Sequence, residues 1–417
     1  MAEVTFPQLI QRACGIDVHL KVVVATIDGA GIQRETRSFK TFTSSLNELK
    51  EWLLSNGVTH VGMESTGVYW KPVYKVLEDS IPNVWIVNAR HIKNVPGHKT
   101  DKMDSEWICK LLLAGLLKPS YIPPKEQRQL RDLTRYRNKL IQQIASEKNR
   151  MMRILEDCNI KLSSVVSNTS GTTATSLIDM LCEGKVLTLD DINSVYHGKL
   201  SASPEELLEA CTGFVEEHHI YLLQMIRKDI DQTQTLVDDL SERIKRLLSK
   251  YENVLELLRE IPGFSTKVVE DLVSEIGLDM SHFPSEKHLS SWTGLSPGNN
   301  ESAGKKSARI THGNKQVKAV ITEAAWAATR TKNTFFSERY HRIAARRGKK
   351  RALIAVGHSQ LISVYLILST GSRYHELGAQ YMQSKIEQKR KVYLSSELKK
   401  LGYNVSLTKV PQAVTLN

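Results

Sequence analysis

The stretch ACGIDVHLKVVVATI, residues 13 to 27, decides the fold of the first part of the chain. It predicts two short strands, or one long strand broken near His19. Asp17 lies among apolar neighbours, at a position where a strand usually holds Val or Ile. Further strands are predicted at about 34–40, 58–64 and 83–89, and helices at 44–56, 69–79 and 101–117. Strands that come first and then alternate with helices favour an α/β domain with a mixed sheet.

The helix at 101–117 should bury Leu111, Leu112 and Leu116. A proline-bearing break, KPSYIPP, then ends the first domain near Pro124. Apolar residues at three- and four-residue steps predict long helices at 125–158 and 204–261, separated by a Ser/Thr-rich loop or small insert at 163–203. The domains expected are 1–123, 124–260, 261–370 and a basic tail at 371–417.

The two long helices suit an antiparallel coiled coil or a plain helical bundle. Each carries an apolar seam that one chain alone could leave exposed, so we expect them to pair between protomers. Beyond them, helices are predicted at 316–329 and at 352–368, and the second is apolar nearly all round and therefore buried.

Charge points to nucleic acid, since the 417 residues carry a net charge of +12. We expect phosphate contacts from three basic groups, with a solvated helix face as the alternative. They are Arg128, Arg131 and Arg135; Lys305, Lys306 and Arg309; and Arg346, Arg347, Lys349 and Lys350.

Several classes of protein are disfavoured. The five cysteines include no CxxC pair, which argues against a zinc site and a disulfide framework and indicates a reducing compartment. The opening MAEVTFPQLIQRA lacks the apolar core of a signal peptide, and no run of 18 apolar residues occurs. We therefore expect a cytoplasmic protein with no membrane partner.

The stretch GLSPGNNESAGKKSARITHGN, residues 294 to 314, has the composition of a loop. Within it Ser302 is followed by Gly304 and by three cations, an arrangement that suits attack on a phosphodiester. The alternative is a surface loop whose serines only bind phosphate. Five residues rather than four separate Gly298 from Gly304, so the loop does not match a P-loop.

Just before this loop, IPGFSTKVVEDLVSEIG, residues 261 to 277, resembles half of a helix-hairpin-helix. Its glycine turn would direct backbone N–H groups at a DNA phosphate. The alternative is an ordinary Pro-Gly turn between two helices.

Besides the serine, the sequence contains four candidate catalytic carboxylates: Asp17, Glu64, Asp101 and Asp104. Asp17 interrupts a strand, Glu64 ends one, and Asp101 and Asp104 share a helix face. Acids that converge repel one another unless divalent cations neutralise them, so we expect a two-metal Mg²⁺ or Mn²⁺ site. The alternative is that Asp101 and Asp104 only stabilise a helix N-terminus and Glu64 lies in a turn.

The motifs GIDVHL, GMESTGVYW, HKTDKMDSEWICKLLLAG, GLSPGNNESAGKK and ITHGNKQVK, in this order, resemble the Asp-Glu-Asp-Asp insertion-sequence transposases. Relatives of that family include Piv-type DNA invertases and bridge-RNA-guided recombinases. The resemblance implies a RuvC-like, RNase H-like N-terminal domain, a dimerising coiled coil and a transposase domain with a nucleophilic serine. It also implies donor and target DNA, an element-encoded structured RNA, a homodimer that becomes a tetramer in the synaptic complex, and bacterial, nucleoid-associated activity.

Residue by residue, the resemblance makes Asp17, Glu64, Asp101 and Asp104 the acids and Ser302 the nucleophile. Ser105 stands where the family usually has alanine, and Ser302 is followed by Ala-Gly rather than directly by glycine. Ser307 is therefore the alternative nucleophile.

Two other functions compete with recombination through a phosphoserine. A metal-dependent junction nuclease would need only the four acids and water, and a DNA-packaging protein would need neither acids nor serine. If recombination is correct, Ser302 and the acids lie in different domains, and a helix of some 35 residues spans about 50 Å. We therefore predict a composite site, with Ser302 of one subunit beside the acids of another.

Overall fold

The computed structural model describes residues 8–65, 67–88, 101–198, 200–296, 300–302, 305–307 and 313–408. Side chains at 101–103, 300–302, 305–307, 382–383 and 385–386 lie outside this description. The chain divides into two units, Met1–Pro123 and Pro124–Asn417.

The first unit contains a mixed five-stranded sheet with the order β3-β2-β1-β4-β5. Its strands are β1 (Arg12–Val18), β2 (Val22–Gly29), β3 (Ile32–Lys40), β4 (His60–Glu64) and β5 (Asn83–Val87). β1 pairs antiparallel with β2 and parallel with β4, and β4 pairs parallel with β5. Of the two alternatives for residues 13–27, two strands with a turn at His19 is the one found. The mixed sheet predicted from the sequence is confirmed, and it is consistent with an RNase H-like fold.

Helices cover both faces of this sheet. One face packs against α1 (Thr43–Ser55) and α2 (Trp70–Leu77). The other packs against α3 (Asp101–Leu113), which buries Leu111 and Leu112. The prediction that Leu116 is buried was wrong, since it is 55% exposed. The helix ends before it, and the chain turns at Gly115, whose φ is +67°.

The second unit is mainly helical, as predicted. Its helices are α4 (Lys125–Asp157), α5 (Leu162–Val165), α6 (Thr172–Cys182), α7 (Leu189–Val195), α8 (Pro204–Ala210), α9 (Glu217–Leu248), α10 (Glu252–Arg259), α11 (Thr266–Ile276), α12 (Glu286–Thr293), α13 (Lys315–Arg330), α14 (Phe335–Arg347), α15 (Lys349–Thr370) and α16 (Gly378–Lys400). A short hairpin, β6 (Asn300–Ser302) with β7 (Lys305–Ser307), lies between α12 and α13.

The two long helices, α4 and α9, pack against each other within one chain. They run antiparallel, because Asp157 at the end of α4 contacts His219 at the start of α9, and Glu126 near the start of α4 contacts Lys250 just beyond α9. Apolar side chains of both helices are buried together with those of α6 and α8. The seam is thus largely buried within one chain, although Leu236 of α9 is 47% exposed, and pairing between protomers stays a prediction.

The segment at 163–203 is helical, where a loop or small insert was expected. Two capping boxes start its later helices, Thr188 with Asp191 for α7 and Ser203 with Glu206 for α8. Buried residues of α6, α7 and α8 share one core with α4 and α9. We refer to residues 158–216, which join α4 to α9, as the connector.

One side of the turn between α10 and α11 packs against other helices of the second unit. A Cβ on Gly263 would lie 2.1 Å from the carbonyl oxygen of Ala324 in α13. Gln360 of α15, fully buried, donates a hydrogen bond to the carbonyl of Pro262 at 2.9 Å. The glycine therefore permits close packing of the turn on α13. Contact of this turn with DNA stays a prediction.

By length and composition α15 is apolar enough to cross a membrane. One face, with Val356, Leu361 and Val364, packs into the core of the second unit. Most of its other residues are only partly buried and Leu366 is 49% exposed, so the expectation that the helix is buried holds for one face alone. The segment expected to be a basic tail contains α16, a 23-residue helix whose described side chains are largely exposed.

Candidate active site

Asp17 lies on the face of the sheet that carries α3. On β1, Cys14, Ile16 and Val18 enter the core shared with α1 and α2. Because side chains alternate along a strand, Asp17 faces the opposite side, together with Gly15. Its side chain is 14% exposed, and its Oδ2 lies 2.9 Å from Nε2 of His19.

Glu64 lies on the same face, on the neighbouring strand. On β4, Val61 and Met63 enter the core on the α1 side, and a Cβ on Gly62 would contact Ile108 and Leu112 of α3 at 3.2 Å. The parallel register pairs Ile16 with Met63, so the next residues, Asp17 and Glu64, leave adjacent strands side by side. Adjacent strands are about 4.8 Å apart. The two acids therefore meet at one edge of the sheet.

The third element of the site is α3, which packs on the same face of the sheet at close range. A Cβ on Gly15 would lie 2.1 Å from the carbonyl oxygen of Ser105 and 2.3 Å from the amide nitrogen of Cys109, so only glycine permits the contact. Sγ of Cys109 lies 3.4 Å from the carbonyl oxygen of Ala13. Since Cys109 contacts Ala13 and the earlier Ser105 contacts Gly15, the helix runs opposite to β1. Its N-terminus points toward Asp17.

Asp104 lies in the first turn of α3 and is half-buried. It precedes Ser105, which is fully buried and whose Oγ lies 2.8 Å from Oγ1 of Thr26 on β2. The hydroxyl of Ser105 is thus hydrogen-bonded although it is fully buried, which explains how this contact accommodates a serine. Asp101 begins the helix, and its side chain lies outside the described part of the chain.

This donor set fits a hard divalent cation. Carboxylate oxygens are the ligands that Mg²⁺ and Mn²⁺ prefer. The sequence reasoning missed His19, which holds Asp17, and Gly15, which admits α3. Both residues lie in the motif GIDVHL beside Asp17, so the sequence could have indicated them.

A different group of ligand atoms lies elsewhere in the described residues. Glu216, His218 and His219 have ligand atoms within 4.8 Å of one another. Nδ1 of His219 accepts a hydrogen bond from the backbone N–H of Glu216 and caps α9, which leaves Nε2–H for Asp157. Metal binding by His219 would break one of these bonds, so we interpret the group as a helix cap.

Ser302 lies in the β6–β7 hairpin. The backbone register pairs Ser302 with Lys305 next to the turn, and Asn300 with Ser307 at the open end. The two candidate nucleophiles therefore occupy opposite ends of the hairpin. Arg309 lies outside the described residues.

The basic residues predicted to bind phosphate have different environments. Arg131 and Arg135 of α4 form ion pairs with Glu275 of α11, and Arg128, also on α4, is half-buried. Arg346, Arg347, Lys349 and Lys350 are exposed around Gly348, where α14 meets α15. Lys305 and Lys306 lie on β7.

Comparison with known proteins gives two family matches. A transposase family model, that of the Asp-Glu-Asp-Asp transposases of IS110 elements, matches residues 14–160. A second model, described as the transposase IS116/IS110/IS902 family, matches residues 255–341. No curated protein matches the chain. The first match contains Asp17, Glu64, Asp101 and Asp104, and the second contains Ser302.

Proposed function

This chain carries two transposase domains of the IS110 family, and on that premise we propose that it excises and inserts its own insertion sequence by site-specific transesterification. The observation that carries the proposal is the pairing of Asp17 and Glu64 on adjacent strand ends, beneath the N-terminus of α3. If all four acids converge at this edge of the sheet they would repel one another, and a cation would relieve that repulsion.

Asp17, Glu64, Asp101 and Asp104 would hold Mg²⁺ or Mn²⁺. When bound, the metal supplies Lewis-acid stabilisation of charge on the attacking and leaving oxygens. His19 fixes the orientation of the Asp17 carboxylate through their 2.9 Å contact. The buried Ser105–Thr26 contact fixes the start of α3, and with it Asp104, against the sheet.

The nucleophile in this proposal is Ser302. Its Oγ forms a bond to phosphorus while the bond from phosphorus to the leaving deoxyribose oxygen breaks. The serine proton leaves, and the departing oxygen takes up a proton. The phosphoserine link conserves the energy of the broken phosphodiester bond, so a second transesterification can rejoin the DNA without ATP.

The acids are tested with isosteric variants. Asp17→Asn and Glu64→Gln should each abolish strand cleavage while the thermal unfolding temperature stays at or above that of the wild type. Glu35→Gln, at an exposed position of β3, is the matched control and should cleave normally. Cleavage by the wild-type protein in excess chelator would rule out the metal.

The serine is tested by trapping. Ser302→Ala should lose both strand exchange and the covalent protein–DNA adduct. If Ser302→Ala still cuts DNA and no adduct forms with the wild type, the protein is the metal-dependent junction nuclease instead. An adduct peptide that maps to Ser307 would move the nucleophile to the other end of the hairpin.

The acids and Ser302 belong to different units of the chain, and we propose that they meet between subunits of a homodimer, with a tetramer in the synaptic complex. A mixture of Ser302→Ala and Asp104→Asn proteins, each inactive alone, should then recover strand exchange. If the two proteins co-assemble and the mixture stays inactive, the site lies within one chain.

We also propose that an element-encoded structured RNA selects donor and target DNA by base pairing, while the protein contacts backbone and shape. Arg346, Arg347, Lys349 and Lys350, all exposed, are suited to phosphate contacts. Replacing these four by Gln should weaken RNA and DNA binding and flatten its salt dependence. Binding that is unchanged would assign them to a solvated helix face.

A further inference from the structure

The loop that carries Ser302 is closed at its base by direct backbone contact. Helix α12 ends at Thr293 and is followed by its C-cap residue, Gly294, whose φ is +75°. A Cβ on Gly313 would lie 2.2 Å from the amide nitrogen of Gly294, so the two ends of the loop touch. The amide of Asn314 donates to the carbonyl of Trp292 at 3.0 Å. We refer to residues 295–312 as the serine loop; its two ends are fixed to each other.

Asn314 uses both ends of its side-chain amide at this base. Its Oδ1 accepts hydrogen bonds from the backbone of Gln316 at 2.9 Å and Val317 at 3.2 Å, which caps α13. Its Nδ2 donates to Oε2 of Glu275 at 2.8 Å. The cap of α13 and the anchor to α11 are therefore one residue.

Glu275 is almost completely buried and also binds two arginines of α4. Arg135 donates to both of its carboxylate oxygens, at 2.6 Å and 3.0 Å. Arg131 lies 3.5 Å from Oε2 and also donates to the backbone carbonyls of Ser274 and Glu275. The hydrogen bond between Arg135 and Glu275 is the main cause that raises the pKa of Arg135. A buried carboxylate is stable only while its partners stay in place.

We propose that Glu275 and Asn314 are positioning residues, which fix the base of the serine loop to helix α4 so that Ser302 is held for attack. The inference rests on the proposed role of Ser302. The chain of contacts runs from Arg135 through Glu275 to Asn314. It joins α4, which lies in the first family match, to the loop in the second.

The test separates the anchor from the cap. Serine caps helices as well as asparagine does but is too short to reach Glu275, so Asn314→Ser removes the anchor and keeps α13 capped. Glu275 keeps both arginines in this variant. We expect an unfolding temperature close to that of the wild type, an unchanged Kd for DNA, and a single-turnover cleavage rate at saturating DNA reduced about tenfold or more.

Hydrogen–deuterium exchange supplies a readout that does not depend on catalysis. Amides of the serine loop should exchange faster in Asn314→Ser, while those of α13 should not change. Asn314→Asp keeps the cap but places a carboxylate against Glu275, so its loop should exchange faster still. Thr334→Ser, a conservative change at the cap of α14, is the matched control and should alter neither loop exchange nor cleavage.

Wild-type loop exchange and a wild-type cleavage rate in Asn314→Ser would overturn the proposal. A lower cleavage rate that follows only a lower unfolding temperature would do the same, since it would assign Asn314 a purely structural role. If Ser302→Ala itself proves active, the proposed nucleophile fails, and loop exchange still decides whether the anchor exists.

Discussion

Helix α4 makes two contacts of opposite chemistry, one in each half. Its first half meets α11 through charged and hydroxyl side chains, among them Arg137, which is 3% exposed and bonds to Glu270 at 2.6 Å and Asp271 at 2.9 Å. Its second half meets α9 and the connector through buried Leu, Ile and Met side chains. The same helix thus has a buried ion-pair contact in its first half, where Leu130 is also buried, and a mainly apolar contact in its second.

The difference lies in what each contact specifies. Apolar packing is nearly non-directional, so a seam of leucines stabilises the pair without selecting one register. A buried guanidinium between two carboxylates is stable in one register alone, because any slide leaves a charge without a partner. We infer that the polar contact sets where α4 lies on α11, and that the apolar contact supplies most of the stability of the long pair.

Breaking the polar contact should have the largest effect. Arg137→Leu leaves Glu270 and Asp271 buried without their main partner, and we expect it to lower the free energy of unfolding by about 3–5 kcal/mol. Urea denaturation followed by circular dichroism measures the change. Arg153→Leu, on an exposed position of the same helix, is the control and should stay within about 0.5 kcal/mol. A loss below about 1 kcal/mol for Arg137→Leu would show that the network does not constrain the fold.

Breaking the apolar contact should cost about 3 kcal/mol and act locally. Leu155 is fully buried beside the connector, so Leu155→Ala leaves a cavity there. Three buried cysteines, Cys158, Cys182 and Cys211, report on this region. Burial raises the pKa of Cys182 and of Cys211 to about 11, so at pH 8 alkylation requires opening of the structure.

Alkylation of these three thiols by iodoacetamide, followed by mass spectrometry, should therefore be faster in Leu155→Ala. Cys14 and Cys109 in the first unit serve as internal controls, and burial raises the pKa of Cys109 to about 12. Equal acceleration at all five cysteines would mean that the connector does not open separately from the rest.

The smallest effect is expected at the surface of the connector, where charge rather than burial acts. Hydrogen bonds from Lys185, and then from Thr188, lower the pKa of Asp191 to about 2. Because the folded-state pKa lies below the ordinary value of 3.8, the carboxylate stabilises the fold above pH 4, and this stabilisation is lost as pH falls through about 2.

Asp191→Asn should therefore be less stable than the wild type at pH 7, and the two should converge between pH 4 and pH 2. Urea denaturation across that range measures the difference, with Asp190→Asn in the same helical turn as the control. A difference that does not change with pH would assign the effect to the lost capping geometry rather than to charge.

Local sequence was sufficient for the sheet and for the strands that carry Asp17 and Glu64. The apolar runs in residues 13–27 define β1 and β2, and the end of β4 at Glu64 follows from the polar residues after it. The capping boxes at Thr188 and Ser203 could have identified the helices of the connector, although the Ser/Thr-rich composition favoured a loop. Leu116 was misplaced because the helical pattern continues past the point where Gly115 turns the chain.

Non-local pairing explains what the sequence did not reveal. Arg131, Arg135 and Arg137 have the spacing of a solvated or nucleic-acid-binding face, and their partners on α11 lie more than 130 residues away. A charge on a helix has the same local pattern whether its partner is water, phosphate or another helix. Both Arg131 and Arg135 pair with Glu275, and Arg137 pairs with Asp271, so the spacing of the charges along either helix does not reveal which residues pair.

The antiparallel course of α4 and α9 returns the chain to its starting point, since Nζ of Lys250 lies 2.7 Å from Oε2 of Glu126. We refer to the part of the two helices beyond the contact of α4 with α11, together with the connector, as the arm. Deleting two turns from each helix at facing positions would shorten the arm by about 10 Å and leave both of its ends in place. A graded series of such deletions would show how strand exchange depends on the length of the arm.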